Sequence, residues 1–248
     1  ALYGDADAKL EVLSSATREQ IEELPEYVQN TNITVQHIEQ GHVFDLEIHV
    51  YYEQEHASVR IVDTHTNIVQ IEKNWQVIFE DKTTSLELKA DHSALIMKQI
   101  WDFSQTVDID DVKEILDRQI TCNMAIANEG IHNSYGANIG HVILNMDSDC
   151  VKTKAKAYAA AGSDARMNGC ELPVVINSGS GNQGITCCVP VVVYAKELDC
   201  TQEQLYRALV LSNLTAIYIK TGIGTLSAFC GAVSAGAAAG GGAGGCKG

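Results

Sequence analysis

The sequence predicts an α+β fold: a small antiparallel sheet-plus-helix unit followed by a mainly α-helical core. Three observations carry this reading. Residues 43–81 alternate apolar and polar with the period of a strand. Apolar residues after position 107 recur at helical steps of three and four. The charge also divides: residues 1–120 hold all of the net −15, and residues 121–248 sum to zero. The second half is rich in Ala, Gly and Cys, with half of the 20 glycines from Gly222 onward. A division into 1–90, an acidic α+β unit, and 91–248, an Ala/Gly-rich helical domain, follows from that shift.

Taken in order, Thr17 with Gln20 three residues later reads as a capping box opening the first helix. Strands are expected near 32–39, 43–54, 57–63, 67–72 and 75–81. Phe44, Leu46, Ile48 and Val50 alternate with Asp45, Glu47, His49 and Tyr51, and Lys73-Asn74 supplies the turn before Trp75, Val77 and Phe79. The helix is expected to back this sheet. Helices follow over 108–128 and 150–167. Leu205, Ala208, Leu209, Ser212, Ala216 and Ile219 mark one face of another. Gly236, Gly240 and Gly244 recur every four residues, a spacing that lets a last helix approach a neighbour closely.

Composition excludes several classes. With 46% hydrophobic residues the chain is no disordered segment. Its net charge of −15 disfavours a nucleic-acid partner, which needs clustered Lys and Arg. No run of about 18–20 strongly apolar residues marks a membrane span, and no signal-peptide pattern stands at the start. A cytoplasmic location with reduced thiols is the expectation. The eight cysteines contain no C-x-x-C pair, which argues against a zinc ribbon or a ferredoxin-type run.

The densest chemical signal is PVVINSGSGNQGITCCVP, residues 173–190. An apolar run enters a loop of small and polar residues: Asn177, Ser178, Gly179, Ser180, Gly181, Asn182, Gln183 and Gly184. Glycines let a backbone approach a ligand, and successive free N–H groups there form an anion-binding nest. The loop suits a carboxylate or phosphate, and equally a tight interhelical turn. It is no P-loop, because no Lys-Ser/Thr follows, and no G-x-S-x-G elbow. Cys187 and Cys188 read either as thiolates near a helix start or as small buried residues. Asp164-Ala165-Arg166 offers an internal ion pair or a ligand clamp. Lys220 ends a helix where a cation is welcome, and His65 sits between two strands as a turn residue.

Gly162-Ser163-Asp164-Ala165-Arg166-Met167, NSGSGNQGIT (177–186), LSNLTAIYIK (211–220) and LSAFCGAVSAG (226–236) together resemble the serine dehydratase-like alpha-chain superfamily. Within it, the likeness is to the L-cysteine desulfidase branch. ALYGDADAKLEVL and His65-Thr66-Asn67-Ile68 extend it over nearly the whole chain. The resemblance implies an iron–sulfur lyase without pyridoxal phosphate, eliminating hydrogen sulfide from L-cysteine to give pyruvate and ammonia. L-serine dehydration on the same scaffold is the alternative, and a non-catalytic module that binds an amino acid or mediates oligomer contacts is a third reading. It further implies a [4Fe–4S] cluster with Cys230 as a ligand, a substrate loop at 177–184, and Lys220 or Tyr218 as candidate bases. Further cluster cysteines are expected outside this chain, which lacks an initiator Met and reads as a fragment. The implied partner is a small L-amino acid, with a homo-oligomer as the candidate assembly and no membrane or nucleic acid.

Overall fold

The computed structural model describes residues 3–5, 7, 8, 12, 15–39, 42, 44–64, 66–81, 91–93, 95–147, 149–224 and 229–246. Contacts divide the chain into two units. One comprises Gln36–Ala94 with Ile223–Phe229, and the other Ala1–Val35, Leu95–Gly222 and Cys230–Gly248.

The smaller unit is a four-stranded antiparallel meander, with order β1-β2-β3-β4: Asp45–Tyr52 (β1), Glu55–Val62 (β2), Ile68–Lys73 (β3) and Gln76–Glu80 (β4). Ile48 faces Val59, Val59 faces Ile71 and Ile71 faces Phe79, so a single apolar stripe crosses the sheet. The opposite face is polar and aromatic. Glu47 bonds His49 Nε2 at 3.0 Å, and His49 Nδ1 meets His56 Nε2 at 3.0 Å. The buried His56 ring stacks on Trp75 with centroids 4.2 Å apart. That stacking explains a shift of the last hairpin. The turn is Asn74-Trp75, both in the left-handed region, rather than the expected Lys73-Asn74.

One expectation for this half needs correction. Residues 32–39 form no strand; the segment alternates, but no strand among the described residues pairs with it, and Ile33, Val35 and Ile38 stay exposed. The first helix, Arg18–Asn30 (α1), is grouped with the helical unit and buries none of its side chains. Leu46, Ile48, Val50, Val77 and Phe79 on the sheet's apolar face are all exposed. The capping box itself forms, with Thr17 Oγ1 accepting from Gln20 N and Gln20 Oε1 from Thr17 N.

Across β1 and β2, Arg60 grips Asp45 through two parallel N–H···O bonds of 2.9 and 2.7 Å. Hydrogen bonding from Arg60 holds the Asp45 carboxyl below its usual range. Because the folded value is the lower one, this pair stabilises the sheet above the ordinary carboxylate pKa of about 4. The contribution fades as pH falls through the folded value. Arg60→Met is therefore expected to cost stability at pH 6 and progressively less toward pH 2.5, as read by urea unfolding of both proteins across that range. An equal loss at every pH would contradict this linkage.

The larger unit holds Met97–Thr106 (α2), Ile109–His132 (α3), Ile139–Met146 (α4), Val151–Met167 (α5), Gly181–Glu197 (α6), Gln202–Ile223 (α7) and Gly231–Gly245 (α8). The three expected helices are present with shifted ends. The core is built around α6, whose Ile185, Cys187, Cys188, Val189 and Val191 are fully buried. Alanines line the neighbours: Ala157, Ala161 and Ala165 on α5, and Ala235, Ala238 and Ala239 on α8. Small side chains let the axes approach, which is the structural meaning of the Ala/Gly-rich composition. The expected glycine face of α8 is the wrong one, however. A Cβ on Gly240 or Gly244 would meet nothing within 4 Å, whereas one on Gly242 would meet Ala208 O and Ser212 Cβ at 2.8 Å. The buried stripe is set by α7 and α6, one step round the helix. Among the described residues, no helix is long and apolar enough to cross a membrane.

Candidate functional site

The stretch 174–184 is shaped by three local devices. Asn123 on α3 mimics a strand: its Oδ1 accepts from Val175 N at 2.9 Å and its Nδ2 donates to Val175 O at 3.1 Å. Asn177 and Ser180 then close a tight turn by exchanging backbone bonds of 3.2 and 3.0 Å. Ser178 and Gly179 occupy it with φ of +49° and +79°. A non-glycine residue there is strained, and Ser178 Oγ donates to Asn177 Oδ1 at 2.8 Å. Finally α6 starts at Gly181, and Gly184 in its first turn lies against the incoming extended segment, where a Cβ would sit 2.9 Å from Ile176 Cα. The loop divides in two: 177–180 is a tight turn, and 181–184 is the first turn of α6.

Beneath the turn lies a closed amide network. Asn213 on α7 exchanges two bonds with Gln119 on α3, at 2.9 and 2.8 Å, and accepts from Asn177 Nδ2 at 3.0 Å. Cys187 Sγ approaches Asn213 Oδ1 at 3.3 Å. A cavity of about 280 Å³ opens beside it, walled by Phe103, Val112, Ile115 and Val175 and reaching Asn177 and Ser178. Gln119 and Asn213 were signalled only as isolated amides on apolar helix faces, a pattern that does not reveal its partner.

The thiols sort by position. Cys187 and Cys188 are not at the helix start but two turns inside α6. Burial pushes the Cys187 thiol up to about 12 and raises Cys188 as well. They are small buried residues. Cys150 differs: at the N-cap of α5 its thiol lies near the backbone N–H groups of Thr153 and Lys152, whose influence lowers its pKa. Cys230 is exposed at the N-cap of α8. Brief iodoacetamide treatment at pH 8 followed by peptide mapping is expected to modify Cys150 and Cys230 while sparing Cys187 and Cys188. Early labelling of the latter two would contradict their burial.

Several predicted residues stand on elements that share one end of the helical unit. From the contact between Cys187 and Asn213, seven residues back along α6 is Ser180, and seven on along the antiparallel α7 is Lys220. The last turn of α7, with Tyr218 and Lys220, therefore stands level with the start of α6. Gln183 in that first turn ends against Gly231, the first residue of α8, so Cys230 belongs to the same end. Asp164 and Arg166 form no pair. Asp164 Oδ2 accepts from Ile139 N at 2.8 Å at the start of α4, and Arg166 reaches across to Asn182 Oδ1 at 3.2 Å. Among the described residues, no group of three His, Cys, Asp or Glu side chains could hold a metal ion. His65 and residues 225–228 of the Phe-Cys-Gly segment lie outside the described residues.

Residues 7–248 match the family model for the serine dehydratase alpha chain. A UPF0597 protein of Desulfitobacterium hafniense is 47% identical over 241 residues, covering 96% of this chain and 56% of its own. UPF0597 proteins of Lachnoclostridium phytofermentans and Finegoldia magna are 47% and 46% identical, each covered over 57% of its length. The chain thus spans a little over half of the curated relatives it matches. No solved structure matches it. A family match over nearly the whole chain places it in the serine dehydratase alpha-chain family.

Proposed function

We propose that this chain is the substrate-handling part of an iron–sulfur lyase that works without pyridoxal phosphate and eliminates hydrogen sulfide from L-cysteine. Elimination of water from L-serine is the alternative. In either case a base takes the α-proton and the β-substituent leaves with the bonding pair. The resulting aminoacrylate tautomerises to an imine, and water releases pyruvate and ammonia. The observation that carries the reading is the gathering at one bundle end of the loop 177–184, Cys230 on α8, and Tyr218 with Lys220 on α7.

Each group has a task it is suited to. First-turn amides of α6 offer donors to a carboxylate. Lys220 or Tyr218 would receive the α-proton. A [4Fe–4S] cluster held by three thiolates keeps one iron open as a Lewis acid toward the leaving sulfur or oxygen. Cys230 would serve as one of those ligands, since it is exposed at the start of α8. The remaining ligands would come from outside the described residues.

The test is anaerobic. This chain and a version lengthened to the extent of its relatives are supplied with iron and sulfide and given L-cysteine or L-serine. Sulfide and pyruvate from cysteine in the lengthened protein, abolished by Cys230→Ala, would support the desulfidase reading. Pyruvate from serine alone would move the assignment to dehydratase. A lengthened protein inert to both would remove the lyase reading.

A further inference from the structure

α6 and α8 run side by side in the same direction. Gln183 ends against Gly231, Thr186 Cγ2 lies 3.9 Å from a Cβ placed on Gly236, and Val191 Cγ2 lies 3.0 Å from one placed on Gly242. Their amino ends therefore lie together. Neither N-cap, Ser180 or Cys230, makes a side-chain capping bond. The first turns of both helices thus lack a side-chain cap, and two partial positive charges add at one end of the unit.

Arg166 brings a full positive charge to the same end. It sits in the last turn of α5, where a cation is welcome, but its guanidinium extends over the start of α6. A Cβ on Gly181 would stand 2.7 Å from Arg166 Cζ, so glycine at that position leaves the guanidinium its place. Its polar contacts among the described residues are two neutral atoms, Asn182 Oδ1 at 3.2 Å and Met167 Sδ at 3.6 Å. The nearby Asp164 is turned away to cap α4, and no carboxylate among the described residues pairs with Arg166. At the adjoining first-turn position, Gln183 is 5% exposed, and its Oε1 has no hydrogen-bond partner.

An unpaired guanidinium over the start of α6 wants an anion, and a buried carbonyl oxygen without a donor wants an N–H. The geometry points to Arg166 as the carboxylate-recognition residue for an α-amino carboxylate, with Gln183 Oε1 accepting from its ammonium group. This rests on the lyase reading for its substrate class and adds the residue that selects it. Arg166 stands outside the loop that sequence motifs mark, because it is brought there by the antiparallel packing of α5 on α6.

The test uses L-serine, L-serine methyl ester and inorganic phosphate as probes, titrated calorimetrically into the 248-residue chain. Arg166→Gln is expected to weaken L-serine binding by about tenfold or more, as loss of a charged hydrogen-bond pair does. Arg166→Lys should recover part of it, and the methyl ester should not bind. Gly181→Ala keeps the charge but displaces the guanidinium, so it should mimic Arg166→Gln, and it carries the test should that variant fail to fold. In the active lengthened protein, KM should rise by a similar factor with kcat changing less. L-serine binding unaltered by both substitutions, or phosphate binding as tight as that of serine, would overturn the assignment. The two readings fail separately: Arg166-dependent serine binding in a protein that releases no pyruvate removes the lyase alone. Turnover with unchanged KM in Arg166→Gln removes this residue's role alone.

Discussion

Alanine at position 184 is expected to lower the stability of the helical unit by about 3 kcal/mol or more, the upper range for overpacking a filled core. The added Cβ would fall 2.9 Å from Ile176 Cα and closer still to the Val175 carbonyl oxygen. These are backbone atoms, pinned by both amide atoms of Asn123, so no side chain can swing aside. Relief would require moving the extended segment off α6, which breaks the Asn123 bonds and the turn at 177–180 together. Gly240→Ala is the control. Nothing lies within 4 Å of that position, and alanine there should stabilise α8 by about 0.5–1 kcal/mol through helix propensity. Urea unfolding followed by circular dichroism reads both changes. A Gly184→Ala protein unfolding at the wild-type midpoint would refute the close approach.

Asn213→Leu is expected to cost about 3 kcal/mol, for a different reason. Asn213 donates to Gln119 Oε1 and Leu209 O, and accepts from Gln119 Nε2 and Asn177 Nδ2. Leucine keeps the volume but strands two amides that are 2% and 5% exposed, and each orphaned buried group costs about 1–3 kcal/mol. The substitution should also free Cys187, whose thiol lies 3.3 Å from the Asn213 oxygen. Iodoacetamide should then modify Cys187 in the variant while sparing it in the wild type. Equal midpoints and equal labelling would mean that the network contributes nothing.

Legibility followed locality. The Thr17–Gln20 capping box spans three residues and formed as read, and helical periods located α3, α5 and α7 to within a few positions. Pairing decisions made at a distance were less visible. Residues 32–39 alternate as a strand should, yet alternation does not supply a neighbour. The last hairpin turns one residue late because Trp75 is held by the His56 ring, nineteen residues earlier. Glycines at every fourth place in α8 marked a helix of small residues, but α7 chose which side to bury. The loop 177–184 announced itself through its glycines and Arg166 through its Asp-Ala-Arg setting, whereas the reach of Arg166 to Asn182 and the partners of Gln119 and Asn213 emerge only once α3, α5, α6 and α7 are placed together.

The uncovered sheet face has a consequence for how the chain behaves in solution. Its apolar surface and all of the excess acidity reside in the same first 120 residues. At neutral pH a net charge of −15 keeps neighbouring molecules apart and opposes contact between such faces. Near the isoelectric point of about 4.8 that repulsion vanishes while the apolar area is unchanged. Acidity here acts as a dispersant, and salt, by shortening its range, works against it.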